Sequence, residues 1–280
     1  MKLQWDKYEL DLDKRTYVMG VLNVTPDSFS DGGKYYSLEA AVEHGLAMAE
    51  QGADILDIGG ESTRPFSERV TTQEEIDRVV PVIEALSKHV DVPISIDTYK
   101  SDVAKYALDA GASIINDISA LRFDPALGPL AADRGVPVIL MHMKGTPENM
   151  QKNPQYDDVV GEISDFLEDA INRATQSGIP KDMVVIDPGI GFGKTFDHNL
   201  IILRDLGRFQ ALQRPILIGT SNKSFIGHVL DKPVEQRAVG TMATVAVAVL
   251  NGAHIVRVHN VEMAVDTVRM VDAIRKGRAD

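Results

Sequence analysis

The strongest constraint in this chain is a phrase that recurs: a helical pattern stops at a glycine, a short apolar run follows, and the run ends in a polar side chain. It reads Gly52-Ala53-Asp54-Ile55-Leu56-Asp57-Ile58-Gly59, and it returns as Gly111-Ala112-Ser113-Ile114-Ile115-Asn116-Asp117. It returns again as Gly252-Ala253-His254-Ile255-Val256-Arg257-Val258-His259 and, more loosely, from Gly135 to His142. Glycine suits the position just past a helix end, and a short run of branched apolar residues suits a strand buried on both faces. A chain built from that event has few folds open to it.

Applying the rule along the sequence predicts strands at 17–22, 54–58, 94–97, 113–116, 138–142, 184–187, 216–219 and 255–258. Helical spacing falls between them at 38–50, 72–88, 101–110, 125–134, 157–177, 197–212 and 234–251, with a closing helix at 261–276. Buried strands alternating with amphipathic helices imply a parallel sheet covered on its outer face. Eight repeats in 280 residues fit an α/β fold of the closed (β/α)8 TIM-barrel type, whose usual size is ~250 residues. The rival is an open doubly wound sheet. It would place a glycine-rich turn after its first strand, and here that turn is Asn23-Val24-Thr25-Pro26-Asp27. Ahead of the barrel, Leu3, Trp5, Leu10 and Leu12 alternate with charges around Asp6 and Lys7, as in a small hairpin that covers the barrel floor. The expected organisation is one domain, with the hairpin at 1–15 and the barrel at 16–277.

Charge and composition narrow the function. A net charge of −12 argues against a nucleic-acid or anionic-membrane surface, so any bound anion must be held by a local cluster. No cysteine is present, which excludes disulfides and thiolate metal sites, and no apolar run approaches the ~20 residues of a membrane span. The N-terminus lacks the apolar core of a signal peptide, and the expected location is cytoplasmic.

In a barrel of this kind, function sits at the C-terminal ends of the strands. Those tips are Asn23, Asp57, Asp97, Asn116, His142, Asp187, Lys223 just beyond strand seven, and Arg257 with His259. Any one of them could be a loop hydrogen bond, but polar groups facing an apolar mouth are costly unless paired or bound to ligand. A whole ring of them therefore indicates a site. Strand parity puts Ile255, Arg257 and His259 on one face and His254 on the other.

The glycine-rich stretch Asp187-Pro188-Gly189-Ile190-Gly191-Phe192-Gly193-Lys194-Thr195 fails the spacing of a nucleotide-triphosphate loop. Its glycines fit better as backbone curling beside a flat ligand held by Asp187. No paired-histidine zinc spacing occurs, which leaves oxygen ligands and Mg²⁺ if any metal is used. Carboxylates, amides and a lysine converging on one cavity suit a planar heterocycle with donor and acceptor edges, such as a pterin or a guanine-like ring. Arg64 and Arg257, with His259, suit a phosphate or diphosphate, because guanidinium groups pair bidentately with such oxygens. Asn23 could complete the octahedron of a Mg²⁺ that the diphosphate mostly supplies.

From about Tyr17 to Val271 the chain resembles the dihydropteroate synthase family. The matching stretches are VLNVTPDSFSDGG (21–33), GADILDIGGESTRP (52–65), SIDTYK (95–100), NDIS (116–119), MHMKGTP (141–147), IDPGIGFGKT (186–195), GTSNKSFIG (219–227) and RVHN (257–260). The resemblance implies a (β/α)8 barrel, Mg²⁺ and a homodimer. It implies a transferase that joins 6-hydroxymethyl-7,8-dihydropterin diphosphate to p-aminobenzoate, releasing pyrophosphate and 7,8-dihydropteroate. By position, Asp97, Asn116, Asp187 and Lys223 would hold the pterin. Arg64, Arg257 and His259 would hold the diphosphate, with Asn23 on its metal. Thr63, Pro65 and Ser221, with Phe29 on the first loop, would form the p-aminobenzoate pocket. The catalytic assignment falls on Arg64, Lys223, Arg257 and His259.

Two positions depart from the family pattern. Phe66 stands where the family commonly has Gly, and Asn222 where it commonly has Arg. Both bear on p-aminobenzoate rather than on the pterin. A catalytically weak pterin-binding paralogue and a folate-dependent methyltransferase on a similar barrel are the alternative readings. The latter needs no diphosphate clamp.

Overall fold

The computed structural model describes residues 1–25, 33–62 and 69–278, and of 33–37 the backbone only. An antiparallel pair, β1 (Lys2–Trp5) and β2 (Tyr8–Asp11), opens the chain. Eight parallel strands then form the main sheet: β3 (Tyr17–Asn23), β4 (Ile55–Gly59), β5 (Ile94–Asp97), β6 (Ile114–Asp117), β7 (Val138–Met141), β8 (Val184–Asp187), β9 (Leu217–Ile218) and β10 (Ile255–Val258). They pair in chain order from β3 to β8, and β10 pairs with both β3 and β9. The ring closes between β8 and β9 through one parallel bridge, Ile186 to Ile216, and the Ile186 N–H bonded to the Pro215 carbonyl at 2.9 Å.

Helices follow the strands as expected: α1 (Gly33–Glu50), α2 (Thr72–Leu86), α3 (Ser101–Asp109), α4 (Leu127–Arg134), α5 (Val159–Gln176), α6 (Phe196–Arg204), α7 (Ser224–Leu230), α8 (Ala238–Leu250) and α9 (Val261–Lys276). Several boundaries differ from the sequence expectation: α1 begins at Gly33 rather than 38, and β9 is shorter than 216–219. The single helix expected at 197–212 is α6 followed by a 3₁₀ stretch, Leu206–Leu212, because the chain leaves the α region at Asp205. The helix expected at 234–251 is a 3₁₀ turn and then α8. The short α7 was not anticipated, since seven residues carry too little periodicity to register.

Two apolar layers result from strand parity. Val18, Leu22, Leu56, Ile58, Ile96, Ile115, Leu140, Ile186, Val256 and Val258 face outward and pack under the helices. Met19, Ile55, Ile114, Ile139, Val185, Leu217 and Ile255 face inward as one floor. The hairpin of β1 and β2 supplies Leu3, Trp5 and Leu10 to that same floor, so it plugs the barrel from below. Burying each such side chain contributes ~1.5–3 kcal/mol. The floor fixes what lies two residues further along each strand, where the parity again points inward.

Candidate active site at the barrel mouth

Two residues above the inward floor stand Val21, Asp57, Asp97, Asn116, Met141, Asp187, Gly219 and Arg257; above these, Asn23, Gly59 and His259 keep the same parity. The inward direction there follows from the register of the strands, with Gly59 opposite Asp97 and Arg257 opposite Met19. Two of the carboxylates are tied to one guanidinium, and an amide joins them through Asp57. Arg257 donates from Nε to Asp57 Oδ2 at 2.6 Å and from Nη2 to Asp97 Oδ2 at 2.6 Å, and Asn116 Nδ2 donates to the same Asp57 oxygen at 3.1 Å. Asp57 is 0% exposed, and among the described residues its Oδ1 has no hydrogen-bond partner. The sequence reading placed Asp57 among the tips but gave it no task. Its signal was the parity of Ile55, Asp57 and Gly59, which aims the carboxylate at the barrel axis.

Burial pushes the Asp97 carboxyl up to about 7, against the Arg257 charge and with help from Asp57. Burial works against the Arg257 cation as well, but Asp57 and Asp97 outweigh it and raise its pKa above the ordinary value. On the opposite wall, burial raises the pKa of Asp187, whose Oδ1 accepts the Gly189 N–H at 2.7 Å. Lys223 lies 4.3 Å from the centre of the Phe192 ring, and its charge acts on Asp187. Ser221 Oγ accepts the His259 backbone N–H at 3.2 Å and lies 2.9 Å from His259 Nδ1. Ser221 and His259, which the resemblance gives to different substrates, are therefore neighbours. Asn23 stands at the rim, half-buried, with its backbone opposite Gly59. Phe29, Thr63, Arg64, Pro65 and Phe66 lie outside the described residues.

One tip does not face the mouth. Ile139 and Met141 take the inward parity of β7, so His142 turns outward, where its ring meets Phe166 edge-on at 4.8 Å between centroids. It joins a buried pair instead: Lys194 Nζ lies 2.9 Å from His142 Nδ1 and donates to the Phe192 carbonyl at 3.0 Å. Lys194 is only 2% exposed, and among the described residues no carboxylate bonds it. Burial holds its amine well below the ordinary lysine range, and burial with the neighbouring Lys194 pushes His142 down to about 2. The glycine-rich stretch is thus anchored from behind. A Cβ at Gly189, whose φ is +70°, would overlap the His142 carbonyl oxygen, which is why this close approach needs glycine.

The Lys194 amine gives a pH signature. A base whose pKa falls on folding is charged in the unfolded chain and neutral in the folded one, so stability rises with pH toward the ordinary lysine value of 10.5. Lys194→Met is expected to remove that rise, which ends near the ordinary lysine value of 10.5. Urea unfolding across this range measures it. Parallel stability curves for the two proteins would place the charge on Lys194 in the folded state.

The mouth therefore offers acceptors at Asp97 and Asp187, an amide at Asn116, and cations at Lys223 and Arg257, above an apolar ledge of Ile118, Met141, Met143 and Phe192. Acceptors, an amide and cations thus stand together with an apolar cluster at one end of the barrel. The family model described as pterin binding enzyme matches residues 19–259. The chain belongs to the dihydropteroate synthase family of pterin-binding enzymes. The Escherichia coli (strain K12) dihydropteroate synthase is 46% identical over 273 residues, which is 98% of this chain and 96% of that protein. The Yersinia pestis dihydropteroate synthase, solved in a sulfonamide drug complex, superposes with a TM-score of 0.93 at 46% identity, covering 99% of this chain and 100% of that one. The Xanthomonas albilineans enzyme in complex with 7,8-dihydropteroate gives a TM-score of 0.89 at 44% identity, covering 98% of this chain and 99% of that one. Family membership accounts for a fold and a mouth that strand parity alone had already brought together.

Proposed function

We propose that this chain joins 6-hydroxymethyl-7,8-dihydropterin diphosphate to p-aminobenzoate, releasing pyrophosphate and 7,8-dihydropteroate, as its relatives' names and bound product indicate. The observation that carries this reading is the buried set of Asp97, Asn116, Asp187 and Arg257 at the mouth, with Lys223 beside it. Asp97 and Asp187 accept the ring and amino N–H groups of the pterin, and Asn116 supplies an amide at the same edge. Lys223 and Phe192 border the ring face. Arg257 uses Nε and Nη2 on Asp57 and Asp97, so Nη1 is the nitrogen that faces the diphosphate. Arg64 and His259 complete the anion site in this reading, and Thr63, Pro65, Phe29 and Ser221 the p-aminobenzoate pocket.

In the reaction the pterin methylene's C–O bond breaks and its electron pair leaves with pyrophosphate. Ring electron donation supports the cationic carbon, and the arginines and His259 oppose the charge that builds on the leaving oxygen. The aniline nitrogen then forms the new C–N bond and gives up a proton to solvent. No dedicated base is needed, since that amine is neutral at pH 7. Among the described residues no cluster of three His, Cys, Asp or Glu side chains could hold a metal by itself. The Asn23 amide at the rim fits an ion whose other oxygens come from the diphosphate. When bound, Mg²⁺ supplies positive charge to the leaving group.

A homodimer and a cytoplasmic location belong to the same reading. Val229, Leu230, Val239, Val247 and Leu250 on α7 and α8, with Met270 and Ile274 on α9, are exposed apolar residues, Val239 to 72%. A patch of that kind suits a second copy of the chain, and sedimentation is expected to give the mass of two copies. No helix among the described residues is long and apolar enough to cross a membrane.

The decisive assay is pyrophosphate release from the pterin diphosphate with and without p-aminobenzoate. Release that requires p-aminobenzoate and yields 7,8-dihydropteroate supports the reading; pterin binding without release would favour a weak paralogue. Asn222 refines it. Its φ is +58°, a backbone conformation that Asn tolerates, and its N–H and carbonyl bond Thr241 and Arg237. The Asn222→Arg variant is expected to lower KM for p-aminobenzoate by about tenfold or less, the ~1 kcal/mol scale of a partly exposed charge pair. It should also lose ~1 kcal/mol or more of stability to backbone strain. Steady-state kinetics at two salt concentrations and thermal unfolding check the two effects; an unchanged KM would make the departure neutral.

A further inference from the structure

The turn that carries Phe192 is held from behind by its backbone, and one of its holders is a buried lysine to which the ligand reading gives no task. The Phe192 N–H donates to the Gly189 carbonyl at 3.1 Å, and Asn199 Oδ1 accepts the Gly191 N–H at 2.7 Å. Gln151 Nε2 donates to the Gly191 carbonyl at 2.6 Å, and the Tyr156 hydroxyl to the Gly193 carbonyl at 2.8 Å. Among the described residues the Phe192 carbonyl is left to Lys194 Nζ, at 3.0 Å. The same nitrogen lies 2.9 Å from Nδ1 of His142, the residue just past the end of β7. The other side of the turn meets the mouth. Lys223 Nζ stands 4.3 Å from the centre of the Phe192 ring, and a Cβ on Gly191 would lie 3.3 Å from Lys223 Cδ.

We propose that Lys194 is a positioning residue for pterin recognition, which bridges His142 to the Phe192 carbonyl and so fixes the Phe192 ring and the Lys223 stem beside Asp187. The proposal rests on the functional reading above. Gln151, Tyr156 and Asn199 hold Gly191 and Gly193, but not the peptide unit between them. Those two glycines have φ of +84° and +66°, and residues without a Cβ let the backbone on either side turn cheaply. The Phe192 carbonyl is thus the point at which the turn needs a further tie. The tie must reach from the turn to the end of β7 and must serve a carbonyl and an imidazole nitrogen together. An amine at the end of a four-carbon stem does both, and a neutral one, which burial of Lys194 favours, adds no second cation beside Lys223. With the bridge removed, Phe192 and Lys223 must be ordered at each binding event. That cost weakens affinity without altering any group that touches the ligand.

The test is a double-mutant cycle read in pterin affinity. Lys194→Met keeps an unbranched side chain and removes the donor; in a variant that folds by circular dichroism, calorimetric affinity for 6-hydroxymethyl-7,8-dihydropterin is expected to fall about tenfold. Phe192→Leu removes the ring that Lys194 positions, and in that background Lys194→Met should cost less than about threefold more. Fully additive losses would overturn the proposal, because a mere support of the barrel acts whether or not the ring is present. An unaltered affinity in Lys194→Met would overturn it as well. Lys194→Gln keeps an N–H donor on a shorter stem and should recover part of the loss. If Lys194→Met does not fold, the same cycle is run with Lys194→Gln, and additive losses or unaltered affinity again refute. Without ligand, hydrogen exchange of the amides from Gly191 to Gly193 should be about fivefold faster in the variant, with those of β7 and β8 unchanged. If the unaltered protein does not bind the pterin, the functional reading falls, and the exchange comparison still decides the bridge: equal rates refute it.

Discussion

Arg257→Ala is expected to abolish turnover and to weaken binding of both 6-hydroxymethyl-7,8-dihydropterin and its diphosphate. Strand parity alone suggests a narrower effect, loss of the diphosphate with the pterin spared, because Arg257 shares a face with His259. The pairing inside the mouth changes that. Arg257 bonds Asp57 and Asp97 at 2.6 Å each, and removing it leaves two buried carboxylates without their cation, Asp57 keeping its bond from Asn116. Breaking such a pair costs ~3–5 kcal/mol, far more than an exposed ion pair contributes. Asp97, already pushed up to about 7 with Arg257 beside it, would then hold its proton at neutral pH and offer a donor where the ring needs an acceptor. Thermal unfolding should show the stability loss, and calorimetry with the two pterins the loss of affinity. A variant that keeps full affinity for the pterin without its diphosphate would return Arg257 to a purely phosphate-binding role.

The same carboxyl carries a pH dependence. Asp97 is raised above the ordinary value of 3.8 in the folded state, so the folded protein binds the extra proton between about pH 4 and 7. Its contribution to stability is therefore fully present at low pH and is lost as the pH rises through 7.

Most of the architecture was legible because strands buried on both faces leave a plain record. Ile55, Ile114 and Ile255 lie inward as their place in the repeated phrase requires, and Asp57, Asn116 and Arg257 follow two residues later. The N-terminal hairpin was legible for the same reason, since Leu3, Trp5 and Leu10 alternate with charges. Helix ends were less so. The break at Asp205 and the short α7 depend on local turns that carry no long period.

Within the site, residue type and strand position together identified the ring of tips, but not who pairs with whom. His142 looked like a tip because it ends an apolar run; one residue of parity sends it out of the mouth and against Phe166. Asn222 reads in the sequence as a missing charge, and its left-handed backbone, which Asn tolerates, is visible only in the fold. Lys194 escapes notice because a lysine in a sequence reads as a solvated charge, and only packing shows that it is enclosed. Pairing and enclosure are properties of the assembled barrel, which no short window of sequence contains.

Asp187→Asn is expected to separate recognition from folding more cleanly than any other change at the mouth. The side chain has two acceptor oxygens with different tasks: Oδ1 receives the Gly189 N–H at 2.7 Å, and the other is available to the ring. Asparagine keeps an oxygen for Gly189 and the same shape, so the glycine-rich turn can stand. It also removes a charge whose burial is unfavourable, as the raised pKa of Asp187 records. Stability should therefore change little, or rise. Toward the pterin the exchange is severe, because an NH₂ group meets the N–H donors that the Asp187 carboxylate accepts in this reading. Each mismatched donor costs ~1–3 kcal/mol, which corresponds to roughly tenfold to a hundredfold in affinity. Calorimetry with the pterin lacking diphosphate isolates this effect from the anion site, and unfolding curves report the turn. Retained pterin affinity together with a lower melting temperature would reverse the assignment, leaving Asp187 as a cap for the glycine-rich turn and placing the ring's acceptor on Asp97.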